Sequence, residues 1–323
     1  MDGFVATAGE RVSIECSLPW VTELIAEGAG GELRGGELDA SVRVKVDAGR
    51  EPFENRGWEY LSRGVWRRDG EVVLENACTA GFDLHLRCTQ EQAEFTYRWR
   101  PPARDRAASR LLRSRFHLLA RAALMQYPAL WWAGTRGRVP LHASACMARD
   151  STALLTAPSG IGRSTLVLAE LGSGGLATGD NLSVGDGATV WGLVEPLRIE
   201  GGSGRRMPHG RQEAPMPDRV ESMVPESVVV LERGHSDYSA LSICSPETTA
   251  RSLIASTYMA GELRRYWSFA ATLSAGTGIG PAHPPIVEVA SGLAAKLPCF
   301  SLALGRQPGA CLSDLLDTVR VAA

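Results

Sequence analysis

The 323-residue chain carries 34 Lys and Arg against 36 Asp and Glu, a formal net charge of −2, with 44% hydrophobic and 22% charged residues. That is globular composition with room for two domains, and its balanced charge argues against a dedicated nucleic-acid or membrane-surface binder, which needs a basic excess. Only two of the basic residues, Lys45 and Lys296, are lysines, so any lysine-dependent motif has to be read letter by letter.

The first thirty residues have no basic leader and include Asp2, Glu10, Glu15, Glu23 and Glu27, so no signal peptide is expected. No apolar run approaches the length of a membrane span. Seven scattered cysteines without a CxxC read as reduced thiols of a cytoplasmic protein. Six histidines never form HExxH or HxH, which gives zinc no local support.

Residues 1–133 read as a β-rich α+β domain. SVRVKV (41–46), EVVLEN (71–76), FDLHLRC (82–88) and AEFTYRW (93–99) alternate or run apolar at strand length. Asp69-Gly70 is a hairpin signal, and Pro101-Pro102 stops the sheet. From Arg104 to about Met125 the spacing predicts one amphipathic helix, with Leu111, Leu112, Leu118 and Leu119 on an apolar face. Arg106, Arg110, Arg113 and Arg121 fall on the other face, as a solvated basic stripe or a seat for an acidic partner.

Residues 134–323 alternate strands and helices, the pattern of an α/β domain. Strand-like PLHASACMA (140–148) and TALLTAP (152–158) precede a glycine turn and a helix over 164–171. Short strands are expected within 176–200, including an apolar one that ends at Asp180-Asn181. Residues 201–217 read as a long basic loop with Arg205, Arg206, His209 and Arg211, suited to closing over phosphates or gripping an acceptor. A buried strand (227–232), a helix (246–263), a loop (272–285), a helix (286–296), a strand (298–305) and a helix from Leu312 follow. Ser203 lacks the surroundings of a hydrolase nucleophile, and TGIG (277–280) is a loop fragment rather than a dinucleotide motif.

The strand TALLTA running into Ala157-Pro158-Ser159-Gly160-Ile161-Gly162-Arg163-Ser164 has the order a phosphate-binding loop requires. Glycines turn backbone N–H groups inward, the helix start adds its dipole, and a hydroxyl after the basic residue reaches Mg²⁺. Two letters depart from GxxxxGK[ST]: Ala157 replaces the first glycine and Arg163 the lysine. Alanine costs little there if its φ is negative. Arginine keeps the charge but directs its donors differently.

LHASACMARDSTALLTAPSGIGRSTL, GLATGDNLSV and WGLVEPLRI together resemble the kinase domain of HPr kinase/phosphorylase and its relatives, over about residues 139–320. The resemblance implies an α/β P-loop kinase domain of HPr-kinase-like type. It also implies ATP and Mg²⁺ as cofactors and phosphoryl transfer to a Ser or Thr hydroxyl of a peptide, protein or small metabolite, as in peptide-maturation pathways. Residue by residue, Ser159, Gly160, Ile161, Gly162, Arg163, Ser164 and Thr165 would cradle the phosphates. Ser164 and Asp180 would hold the metal. Asp180, His142 and Arg163 would be catalytic. Asn181 stands where the family has a second Asp, and a neutral amide is not a base. The alternative is therefore a nucleotide-binding regulator or adaptor with a degenerate kinase site. The implied partners are a nucleotide and a hydroxylated acceptor, with homo-oligomers also compatible, and residues 1–133 would be a recognition module.

Overall fold

The computed structural model describes residues 1–36, 39–201, 204–207, 210–307 and 311–316. The chain forms two compact units, each assembled from separated stretches. Met1–Gly137, Glu200–Glu213 and Arg265–Pro284 make the first, and Arg138–Ile199, Ala214–Arg264 and Pro285–Ala323 the second. The chain thus passes between units more than once, first after Gly137.

The first unit is built on an eight-stranded sheet of β1 (Asp2–Thr7), β2 (Glu10–Cys16), β3 (Val42–Asp47), β4 (Glu59–Ser62), β5 (Val65–Arg68), β6 (Glu71–Ala77), β7 (Phe82–Cys88) and β8 (Ala93–Trp99). Its order is β1-β2-β3-β8-β7-β6-β5-β4. Alternation drives the strands: β2 and β3 bury Val12, Ile14 and Cys16, and Val42, Val44 and Val46, while the residues between them face outward. Asp69-Gly70 makes the expected β5–β6 hairpin turn, with φ of 47° and 81° as a type I′ turn needs. Helix α1 (Pro19–Ala29) opens on a proline and ends at Gly30 with φ 58°. It carries the chain from β2 to its parallel neighbour β3.

The helix expected over 104–125 is broken. α2 (Ala103–Leu111) stops at Leu112, whose φ/ψ of −116°/46° is not helical, and α3 (Arg113–Arg121) starts afresh. A wide π turn (Ala122–Gln126) then leads into α4 (Tyr127–Thr135). The break shifts the phase of the pattern. Leu111 ends 81% exposed and Leu112 is exposed as well, whereas Arg121, expected in solvent, is only 5% exposed. α4 is buried along nearly its whole length, as its unbroken apolar sequence requires.

A later helix, Tyr266–Thr277, returns to this unit and packs on β5 and β6, with Gly276 close against Val72. Trp131 Nε1 donates to Ser274 Oγ at 3.1 Å. The loop expected over 272–285 therefore begins as helix, and Gly278 of TGIG is its left-handed C-terminal cap, φ 73°.

In the second unit β9 (Val139–Leu141), β10 (Ala143–Ala148), β11 (Ser151–Thr156), helix α5 (Arg163–Gly172), β12 (Leu176–Ala177), β13 (Ser183–Gly185), β14 (Val190–Gly192) and β15 (Leu197–Ile199) follow in order. Residues 201–217, expected as a loop, contain β16 (Gln212–Ala214), whose first two residues belong to the first unit's stretch. Then come β17 (Ser222–Met223), β18 (Ser227–Arg233), β19 (Ala240–Ile243), α6 (Pro246–Met259), α7 (the Tyr266–Thr277 helix of the first unit), α8 (Ile286–Lys296) and β20 (Cys299–Leu304). One sheet has the order β12-β10-β11-β18-β20-β19 and a second β17-β14-β13-β9. β18 is parallel to both β11 and β20, and Ser227–Leu231 is buried throughout, as a strand covered on both faces must be. Leu155, Leu166, Val167, Val229 and Leu302 pack into its core.

The fold is thus mixed α/β with several sheets. Among the described residues no helix is long and apolar enough to cross a membrane, and all seven cysteines are free. Ser203 and His209 lie outside the described residues.

Candidate functional site

β10 and β11 form an antiparallel hairpin, and β11 runs directly into the 157–162 turn and α5. Pro158, Ser159 and Gly160 are exposed, Ile161 and Gly162 half-buried. Gly160 and Gly162 have φ of 84° and 127°, and a Cβ at Gly160 would meet nothing within 4 Å. Ala157 is absent from the positive-φ positions and packs in the core, so it carries no left-handed strain. The turn delivers an open, glycine-shaped loop to the start of α5, where the first N–H groups lack helical partners. Ser164 is half-buried there and Thr165 exposed.

Arg163 points away from that loop. The residue is 6% exposed. Nη1 donates to His142 O at 2.8 Å, and Nη2 reaches His142 Nε2 at 3.0 Å, Asn181 O at 3.2 Å and Asn181 Oδ1 at 3.3 Å. A guanidinium can only donate, so Nε2 is the bare nitrogen of a neutral ring whose proton sits on Nδ1. The lone pair that a general base would use is already taken. Two of the three departures from the kinase signature, Arg163 and Asn181, therefore bond each other.

Asn181 fits this place better than aspartate would. Its Nδ2 lies 3.3 Å from Asp180 Oδ2 and 3.5 Å from Glu195 Oε2, and its backbone N donates to Glu195 Oε1 at 2.8 Å. A carboxylate at 181 would face two others without a proton to share. Asp180 itself is fully buried, and its Oδ1 has no partner among the described residues. It lies three residues beyond the end of β12, not at a strand end as expected. The segment is held by Thr178 N on Ala145 O at 2.9 Å and by Ser144 Oγ on Gly179 O. Gly192 allows this packing, because a Cβ there would collide with the Thr178 carbonyl.

Sequence reasoning missed three charged members of this cluster. Glu195 is buried and also accepts from Leu182 N at 3.1 Å. Arg198 reaches Glu195 at 3.4 Å and Glu262 at 2.7 Å. Burial raises the Glu195 pKa against the pull of Arg198. Burial also pushes Glu262 upward, but Arg198 holds it below its ordinary value. The available signal was Glu195 and Arg198 inside the WGLVEPLRI stretch; Glu262 had none. A fourth missed residue is Arg233, at the exposed end of β18, whose Nη2 donates to Gly160 O at 3.1 Å.

Burial, and then the Arg163 charge, lowers the His142 pKa from 6.5 to about 4. The unfolded chain takes up that proton below about pH 6.5. The contribution of a neutral His142 is therefore complete above pH 6.5 and declines as the pH falls toward 4, by up to about 3 kcal/mol. Glu195 acts in the opposite sense, so the comparison is between slopes. His142→Gln should flatten the loss of second-unit stability between about pH 7.5 and about pH 5, read by hydrogen exchange in β10 and β11. An unchanged slope would assign the titration elsewhere.

Among the described residues no group of three His, Cys, Asp or Glu side chains is arranged to hold a metal ion. No protein-family model matches the chain, and comparison with curated proteins finds no match. Among solved structures the chain is similar to the HPr(Ser) kinase/phosphatase from Coxiella burnetii, at 12% identity over 57% of this chain and 91% of that one, with a TM-score of 0.29. Agreement at that level fixes neither the fold nor the activity of this chain.

Proposed function

We propose that the second unit binds the phosphates of a nucleotide at the 157–165 loop in a kinase-like manner, without efficient transfer, and that Arg233 rather than Arg163 is the cation that meets them. The observation behind this reading is the division of labour between the two arginines. Arg163 is consumed by His142 and Asn181, whereas Arg233 is exposed and rests on the loop through Gly160 O. Open backbone at a helix start plus a forked cation is the usual chemistry for phosphate oxygens.

The residues also suit the Mg²⁺ that accompanies ATP. Arg163 and Arg198 oppose Asp180, Glu195 and Glu262, which leaves one carboxylate in excess, and the partnerless Asp180 Oδ1 is its natural place. Asp180 and the Ser164 hydroxyl would hold the ion. Bound ATP and Mg²⁺ would supply a transferable phosphoryl group with its charge neutralised. That Asp180 oxygen also favours a second reading, transfer to a Ser or Thr hydroxyl of a peptide, protein or metabolite, with Asp180 accepting the proton.

Isothermal titration with ATP and Mg²⁺ should show binding, weakened about tenfold by Arg233→Ala, the worth of one exposed charge-assisted contact. Absence of ATP binding by the unaltered chain overturns the reading. Mass spectrometry of Ser- and Thr-containing acceptor peptides separates the two uses. Addition of HPO₃ that Asp180→Asn abolishes would establish transfer.

A further inference from the structure

The first unit contains a groove of about 740 Å³ between α1, the end of β8 and the elbow where α2 meets α3. Its floor is aromatic. Trp20 lies 5.1 Å from Trp99 and 6.1 Å from Phe116, ring centre to ring centre, and Trp99 lies 5.5 Å from Phe116. Gly81, at φ 79°, allows the Trp99 ring to lie directly against the backbone, where any Cβ would strike it.

The walls are basic. Arg50, Arg106, Arg110 and Arg113 line the groove, and all four are exposed. None of them meets a carboxylate within ion-pair distance among the described residues, in contrast to Arg100 and Arg205, which are paired with Asp83 and Glu27. Among the described residues Glu23 is the one acidic side chain in the lining. His117 lines the same groove, and its Nδ1 has no partner among the described residues. Leu111 and Leu112, at the elbow beside Arg110 and Arg113, are exposed. Four unpaired guanidiniums around a half-buried aromatic floor repel one another until an anion enters. A solvated surface disperses both signs instead.

The geometry points to an acidic peptide segment as the occupant, its carboxylates on Arg106, Arg110 and Arg113 and an apolar side chain on the Trp20–Trp99 floor. Arginine forks match carboxylates two bonds at a time, aromatic floors anchor single side chains, and Leu111 and Leu112 extend the apolar contact. A nucleic acid shares the stacking and the anionic charge. It has no aliphatic groups for the leucines, however. The site is independent of the nucleotide reading.

The test uses the full chain and a fluorescein-labelled peptide of about ten residues alternating Glu and Leu, followed by anisotropy at about 50 mM salt. Binding should weaken at least about tenfold in the Arg106→Glu, Arg110→Glu double variant, and by a similar factor when Gln replaces every Glu of the peptide. Both arginines are exposed, so circular dichroism and Tm should be unchanged. No binding, equal affinity for the Gln peptide, an unaffected double variant, or displacement by single-stranded RNA at lower concentration than by unlabelled peptide would each overturn the assignment.

Discussion

Replacing Arg163 by methionine should destabilise the second unit by about 3–5 kcal/mol, the cost of breaking a buried charged network from one side. Methionine keeps most of the volume and removes the donors. His142 O and Nε2, with Asn181 O and Oδ1, would lose their common partner, and Asp180, Glu195 and Glu262 would be left facing Arg198 alone. Arg163→Lys should fall between the two, because an ammonium keeps the charge but cannot span both residues. Hydrogen exchange of the β10–β11 hairpin against urea reads the loss in that unit by itself. If Arg163 were a phosphate ligand, the same substitution would spare stability and weaken nucleotide affinity instead. A loss below about 1 kcal/mol would rule out the structural role.

Arg121→Met should cost the first unit a similar amount, about 3–5 kcal/mol. The guanidinium donates to Glu213 Oε1 at 2.5 Å, Glu27 Oε2 at 2.8 Å and Leu24 O at 3.1 Å. Its stem passes so close to α1 that a Cβ on Gly28 would lie 3.0 Å from its Cδ. Most of the cost comes from Glu213, which is itself buried and would become an unpaired charge. Arg121→Met combined with Glu213→Gln should therefore recover part of the loss. A double-mutant cycle on α1 and α3 exchange rates measures that coupling, and strictly additive losses would show that the pair does not act as a unit.

Local features of this chain were legible because their causes are local. Asp69-Gly70 dictates a turn by its own backbone preferences, and the run from β11 through two glycines to α5 is contiguous. The direction of a side chain is not a local property. Arg163 satisfies the letter of a phosphate-loop position, yet its course is set by His142 and Asn181, 21 and 18 residues away in sequence. Helical phase alone puts Arg121 in solvent, but its partners stand 94 and 92 residues off, and the break at Leu112 resets that phase. Arg233 carried no motif, since only the neighbouring of β18 and β11 brings it to the loop. Asn181 looked like a loss when compared with a signature; beside two carboxylates it is the residue that can donate.

The division of the chain into interleaved stretches has a consequence for its synthesis. Domains generally fold in the order in which they leave the ribosome, but the first unit draws on Glu200–Glu213 and Arg265–Pro284. While residues 138–199 emerge, Arg121 waits for Glu213 with Glu27 and the Leu24 carbonyl to hold it, and the face of β5 and β6 that receives α7 stays wet. Completion of the N-terminal unit thus comes late, after most of the second unit's chain already exists. A nascent chain stalled near residue 200 should be more open to protease in its first hundred residues than the finished protein.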